Sequence, residues 1–145
     1  MKTLMPLITI LCLLQFAAGC SKQSPEHRIV VPVGDRVNIS LDTVNDGGFH
    51  FFTYKWEGRN IQFYKRTDGT GHLQAHFDAC YSCFKYKLGY IREGEEVVCI
   101  ACRIGYRLED VIWDYMGACA PFNLNSRILN GHLTFNRTSL EKGKR

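Results

Sequence analysis

The chain has 145 residues, 46% hydrophobic and 22% charged, the balance of one globular domain rather than of a disordered or low-complexity chain. Its formal charge of +4 is scattered, apart from Lys142, Lys144 and Arg145 at the end, so no clustered basic footprint marks it for nucleic acid. Five of its seven cysteines fall between Cys80 and Cys119.

Met1-Lys2 is a short positive start, and Leu4 to Phe16 is an apolar stretch. That stretch is shorter than the roughly 20 residues a bilayer span needs. Ala17-Ala18-Gly19 are small residues directly before Cys20. Residues 1–19 therefore read as a signal peptide, and the order resembles a bacterial lipobox with Ala17 where Leu is usual. The reading implies lipidation of Cys20 and a mature chain held to the extracytoplasmic face of a membrane in a bacterial cell envelope. Ordinary secretion, with Cys20 as a spare thiol, is the alternative. Residues 20–28 are polar around Pro25 and read as a tether.

The domain is expected over residues 29–136. Ile29 to Val33 is β-rich, and Pro32 marks it as an edge. In Arg36 to Val44, Val37, Ile39 and Leu41 alternate with Asn38, Ser40 and Asp42, the pattern of a half-buried strand. Asn45 to Gly48 is a turn. Phe49 to Trp56 follows, with His50, Phe52, Tyr54 and Trp56 on one face and Phe49 and Phe51 on the other, which makes His50 a core residue. Strands Asn60 to Lys65 and His72 to Phe77 come next, separated by Thr67 to Gly71. Four or five antiparallel strands with this turn rhythm predict a mainly β fold. The expected architecture is a small antiparallel β-sandwich or partly open barrel, followed by a Cys-rich metal-binding hairpin. Leu108 to Met116 is long enough for a short helix, and residues 137–145 read as a disordered basic tail.

The hairpin carries Cys80-x-x-Cys83, fifteen residues, then Cys99-x-x-Cys102. Lys87 to Ile91 and Glu95 to Cys99 read as its strands, turning through Arg92 to Glu95. Folding back brings both pairs to one end as a four-thiol pocket. Thiolates in this spacing suit a single zinc or iron ion or an iron–sulfur cluster. Each knuckle encloses small or apolar residues (Ser82, Ile100, Ala101) beside Tyr81, so its amides can aim at sulfur. Neither second Cys is followed by glycine; Phe84 and Arg103 stand there. Cys119, in the small-residue loop Gly117 to Pro121, is a further ligand or an inert buried thiol. His76 and Asp78, just before Cys80, are candidates to support the site from behind. Disulfide stapling of a binding module is the competing use of these cysteines in an oxidising compartment, although five is an odd number. A thiol–disulfide oxidoreductase is another, but its dithiol belongs where a strand enters a helix. A c-type haem is excluded because no His follows either pair. There is no nucleophile–base pair, phosphate loop or paired-acid motif, so no catalytic residue is assigned.

Longer strings carry a resemblance. They are Asp46 to Trp56, Gly58-x-x-Ile61-x-Phe63-Tyr64 to Gly69, and His76-Phe77-Asp78-Ala79-Cys80-Tyr81-Ser82-Cys83. Leu88-Gly89-Tyr90, Gly94, Val97 to Cys102 and Gly117 to Pro121 complete them. Together they resemble the FtrD-like family of membrane iron–sulfur proteins across most of residues 30–125. The resemblance implies an iron–sulfur or other metal centre with thiols at Cys80, Cys83, Cys99, Cys102 and Cys119. It also implies an electron-transfer or iron-oxidation role beside an iron-uptake permease. Where the family ends Gly-Gly-Cys-Asn-Pro-Ile-Pro, this chain has Ala118, Ala120, Phe122 and Asn123. The expected protein is then a lipid-anchored, non-catalytic accessory of envelope iron or copper transport, with a membrane permease as partner.

Overall fold

A computed structural model describes residues 25–107 and 119–144. The leader, Cys20 and the Leu108 to Met116 stretch lie outside the described residues. The fold is mainly β, as expected, in three sheets that do not close into a barrel.

The central sheet has five strands in the order β1 (Arg28–Val30), β3 (His50–Trp56), β4 (Arg59–Thr67), β5 (Leu73–Cys80) and β9 (Pro121–Asn123). β1 is at the edge, as Pro32 suggests, but it pairs with β3 in parallel, where only antiparallel strands were expected. β3, β4 and β5 form an antiparallel meander in the register Phe51↔Tyr64↔His76 and Phe52↔Phe63↔Phe77. Alternation along each strand therefore sends two sets of side chains to opposite faces.

One face carries Phe52, Tyr54, Ile61, Phe63 and Ala75. It meets a second sheet of β2 (Arg36–Ser40), β10 (Arg127–Leu129) and β11 (His132–Asn136). Val37, Ile39, Leu133 and Phe135 complete that core. β11 lies between β2 and β10, in the register Leu133↔Ile39 and Phe135↔Val37. The alternation in Arg36–Ser40 is borne out, but a 3-10 turn takes over at Leu41–Thr43.

The opposite face carries Phe51 and Tyr64, and a third sheet packs on it. That sheet is β6 (Tyr90–Glu93), β7 (Glu96–Cys99) and β8 (Gly105–Arg107). The predicted hairpin is β6–β7, with its first strand beginning at Tyr90 because Lys87 and Gly89 both take positive φ (52° and 71°) and turn the chain. His50 is not a core residue. Its ring is at the rim, with Nε2 2.7 Å from Asp46 Oδ1 and Nδ1 2.9 Å from an Arg28 nitrogen.

The expected disordered tail is helical. α1 (Arg137–Leu140) is followed by a 3-10 turn, Glu141–Lys144. Leu140 is fully buried in the first core, and a Cβ on Gly143 would run into the Phe77 ring. The apolar Leu140, two residues before Lys142, outweighs the polar composition around it. No helix among the described residues is long and apolar enough to cross a membrane.

Candidate metal centre

β5 ends at Cys80, and the chain turns tightly through Tyr81 and Ser82 to Cys83 and a 3-10 turn at Phe84–Tyr86. β7 ends at Cys99 and turns through Ile100 and Ala101 to Cys102. Both Cys-x-x-Cys turns are thus strand-end knuckles, one from the central sheet and one from the third sheet. Stacking those sheets brings the knuckles together. The Sγ atoms of Cys80, Cys83, Cys99 and Cys102 all lie within 4.8 Å of one another. Cys80 and Cys99 are buried, with sulfurs 3.8 Å apart; Cys83 and Cys102 are half-buried on the outer side.

The knuckles satisfy sulfur with backbone, as their sequence suggested. The Cys83 amide donates to Cys80 Sγ at 3.2 Å. The amides of Cys102 and Ala101 act on Cys99 in the same way, and that of Ile104 on Cys102. The second knuckle needs a left-handed residue after its last Cys, and Arg103 supplies it at φ 63°, where glycine is the usual solution. One Arg103 guanidinium nitrogen donates to both oxygens of the Glu93 carboxylate, at 2.7 and 2.8 Å, which ties the knuckle back to β6.

The fifth thiol is close but differently placed. Cys119 is buried beside β9, with its Sγ 3.1 Å from Cys102 Sγ, and it does not join the group of four. Burial pushes the Cys102 thiol up, but hydrogen bonds from the Cys119 thiol and the Ile104 amide prevail and bring it to about 7. The same contact with Cys102, followed by burial, pushes Cys119 up to about 12. Burial also raises Cys83 and Cys99, each in contact with further thiols. The thiols of Cys83 and Cys99, raised by burial, hold their protons until a cation replaces them, while Cys102 gives its proton up more readily.

Asp78 and His76 stand behind the thiols, on the same face of β5 as Cys80. Asp78 Oδ1 accepts the Tyr90 amide at 2.7 Å, and Oδ2 is 2.8 Å from His27 Nε2. Tyr90 pairs with Cys99 across β6–β7, and its hydroxyl donates to the Cys119 carbonyl at 2.8 Å. Asp78 therefore acts on the centre through the backbone that carries Cys99, and burial raises its carboxyl above the usual range against the pull of those two bonds. His76 stacks on Tyr64 at 5.4 Å and has Gln74 Oε1 3.3 Å from Nε2. Neither residue has a hydrogen bond to a sulfur among the described contacts.

Tyr90, Tyr64, Phe51 and Val97 form the apolar floor of the centre with Cys80, Cys99 and Cys119. Of these, sequence reasoning gave no site role to Tyr90. Its signal was the hairpin register itself, which sets it opposite Cys99.

The donor set, four thiols with amides aimed at sulfur, has the chemistry to hold an iron–sulfur cluster or a single metal ion. No curated protein and no solved structure matches the chain. Residues 44–145, well over half of it and including all five thiols, match the family described as membrane iron-sulfur containing protein FtrD-like. With that match spanning the central sheet, both knuckles and the C-terminal helix, the chain belongs to the FtrD-like family of membrane iron–sulfur containing proteins.

Proposed function

We propose that the chain is a lipid-anchored, extracytoplasmic metal-centre protein. It carries electrons, or handles metal, for an envelope iron or copper transport system, with a membrane permease as partner and no catalysis of its own. The observation that carries this reading is the convergence of Cys80, Cys83, Cys99 and Cys102 within 4.8 Å in a family named for membrane iron–sulfur proteins. A thiolate-bound iron centre supplies a one-electron couple.

The chain's own part is to hold and tune that couple. Amides on Cys80, Cys99 and Cys102 stabilise charge on sulfur and so favour the reduced state. The buried floor of Tyr64, Tyr90 and Val97 keeps water from the inner pair. The outer pair, Cys83 and Cys102, is half-buried, and its loops expose Tyr81, Phe84, Tyr86 and Ile104. An accessible sulfur edge with apolar neighbours suits brief contact with a redox partner.

The test is a redox titration of the full chain purified from membranes without oxygen. We expect a visible spectrum that bleaches with dithionite and returns on reoxidation, and incorporation of labelled fatty acid that Cys20→Ser abolishes. A protein with no redox-dependent spectrum is not an electron carrier, and one without label is not lipid-anchored.

A further inference from the structure

We infer that the centre is one tetrahedral metal ion bound by Cys80, Cys83, Cys99 and Cys102, with Cys119 packed against it as a non-ligating thiol. This rests on the reading of the chain as a metal-centre protein and says what kind of centre it is.

Sulfur spacing separates one ion from a cluster. A thiolate sits about 2.3 Å from zinc or iron, so two thiolates on one ion are never more than about 4.6 Å apart and stand about 3.8 Å apart in a tetrahedron. Cys80 and Cys99 are at the tetrahedral spacing, 3.8 Å, and no pair of the four exceeds 4.8 Å, so closing on one ion takes only a small inward movement of the sulfurs. A cluster instead distributes its thiolates over different irons. Two such ligands are separated by two metal–sulfur bonds and the iron–iron vector together, which carries them beyond the limit for one ion. A set in which every pair is close leaves room for one ion at its centre and for no bridging sulfide.

The two knuckles support the same geometry. Each contributes a buried inner sulfur at a strand end and a half-buried outer sulfur three residues on, and each inner sulfur receives the amide of its outer partner. Two such pairs facing each other close a tetrahedron, the arrangement of a four-thiolate site with no open position. Cys119 falls outside it. At 3.1 Å, its sulfur is nearer to Cys102 than two thiolates on one ion stand, and it does not belong to the mutually close set. The position is that of a thiol hydrogen-bonded to Cys102 and Cys80 from outside the set.

The experiment uses the full chain purified without oxygen, with metals counted by mass spectrometry, acid-labile sulfide measured, and the metal's surroundings probed by X-ray absorption. We expect one iron or zinc per chain, no labile sulfide, a single sulfur shell and no metal–metal path. Two or four irons per chain with matching sulfide would overturn the single ion and leave the metal-centre reading standing. Zinc alone would uphold the single ion and remove the electron-carrier role. A chain with no metal and paired cysteines would overturn both. Cys119→Ser is expected to keep full metal stoichiometry and Cys102→Ser to lose it. Loss of metal from Cys119→Ser with its β-sheet circular dichroism intact would make Cys119 a ligand and overturn the inference.

Discussion

At the scale of single residues, the groups behind the thiols are held tightly enough to predict their response. His76 is 1% exposed, with a buried Nδ1 that has no hydrogen-bond partner, and burial followed by the nearby Arg66 charge lowers its pKa to about 3. The unfolded chain takes up that proton near pH 6.5, the folded chain only near 3. Stability is therefore lost as pH falls through that window, by up to about 1.4 kcal/mol per pH unit. His76→Phe should flatten the dependence, read as the difference in denaturation midpoint between pH 7 and pH 5 in the two proteins. Asp78, raised by burial, contributes the opposite slope but is common to both. Gly89 is the second sensitive point. It has φ 71°, and a Cβ there would come 2.5 Å from the Asp78 carboxylate. Gly89→Ala adds backbone strain and displaces an acceptor of the Tyr90 amide, so thermal unfolding should report a loss of about 2 kcal/mol or more. Combined with Asp78→Ala, the loss should be less than additive, because both changes break the same bond.

At the scale of elements, sequence reasoning succeeded where the signal was local. The alternation in β3 separated Phe52, Tyr54 and Trp56 from Phe49 and Phe51, and the structure sends these two sets into different cores. The hairpin was legible because two apolar runs flank Gly94, and the four-thiol pocket follows from its closure. His50 was misplaced because alternation predicts a face and not the depth of burial at a strand's first residue. The pairing of β11 with β2 joins residues about a hundred positions apart, and no periodicity specifies such a partner. The β10–β11 hairpin did have a local signal: Asn130 and Gly131 both take positive φ (49° and 73°), the two-residue turn that Asn-Gly favours. The tail was misread from composition, since one buried leucine decides it. Leu140→Ala should cost about 2–5 kcal/mol in chemical denaturation, a loss that no exposed tail residue would give.

At the scale of the whole molecule, two cores share one sheet. The first, around Val37, Phe63, Leu133 and Phe135, contains no cysteine; the second is built on Cys80, Cys99 and Cys119. Removing the metal, or making Cys99→Ser, should loosen the second core and leave the first intact. Hydrogen exchange should then show lost protection in β6, β7 and β8 and retained protection in β2, β3 and β11. Simultaneous loss in both sets would mean that the metal holds the entire domain. The bond between His27 and Asp78 has a consequence at this scale too. It fastens the start of the domain two residues from Cys80, while Cys20 is only seven residues before His27. In the proposed anchored form, that length reaches at most about 25 Å. In that form the centre would be on a short leash, confined to a thin shell above the lipid, where the proposed permease would meet it at a local concentration far above that of a freely diffusing carrier.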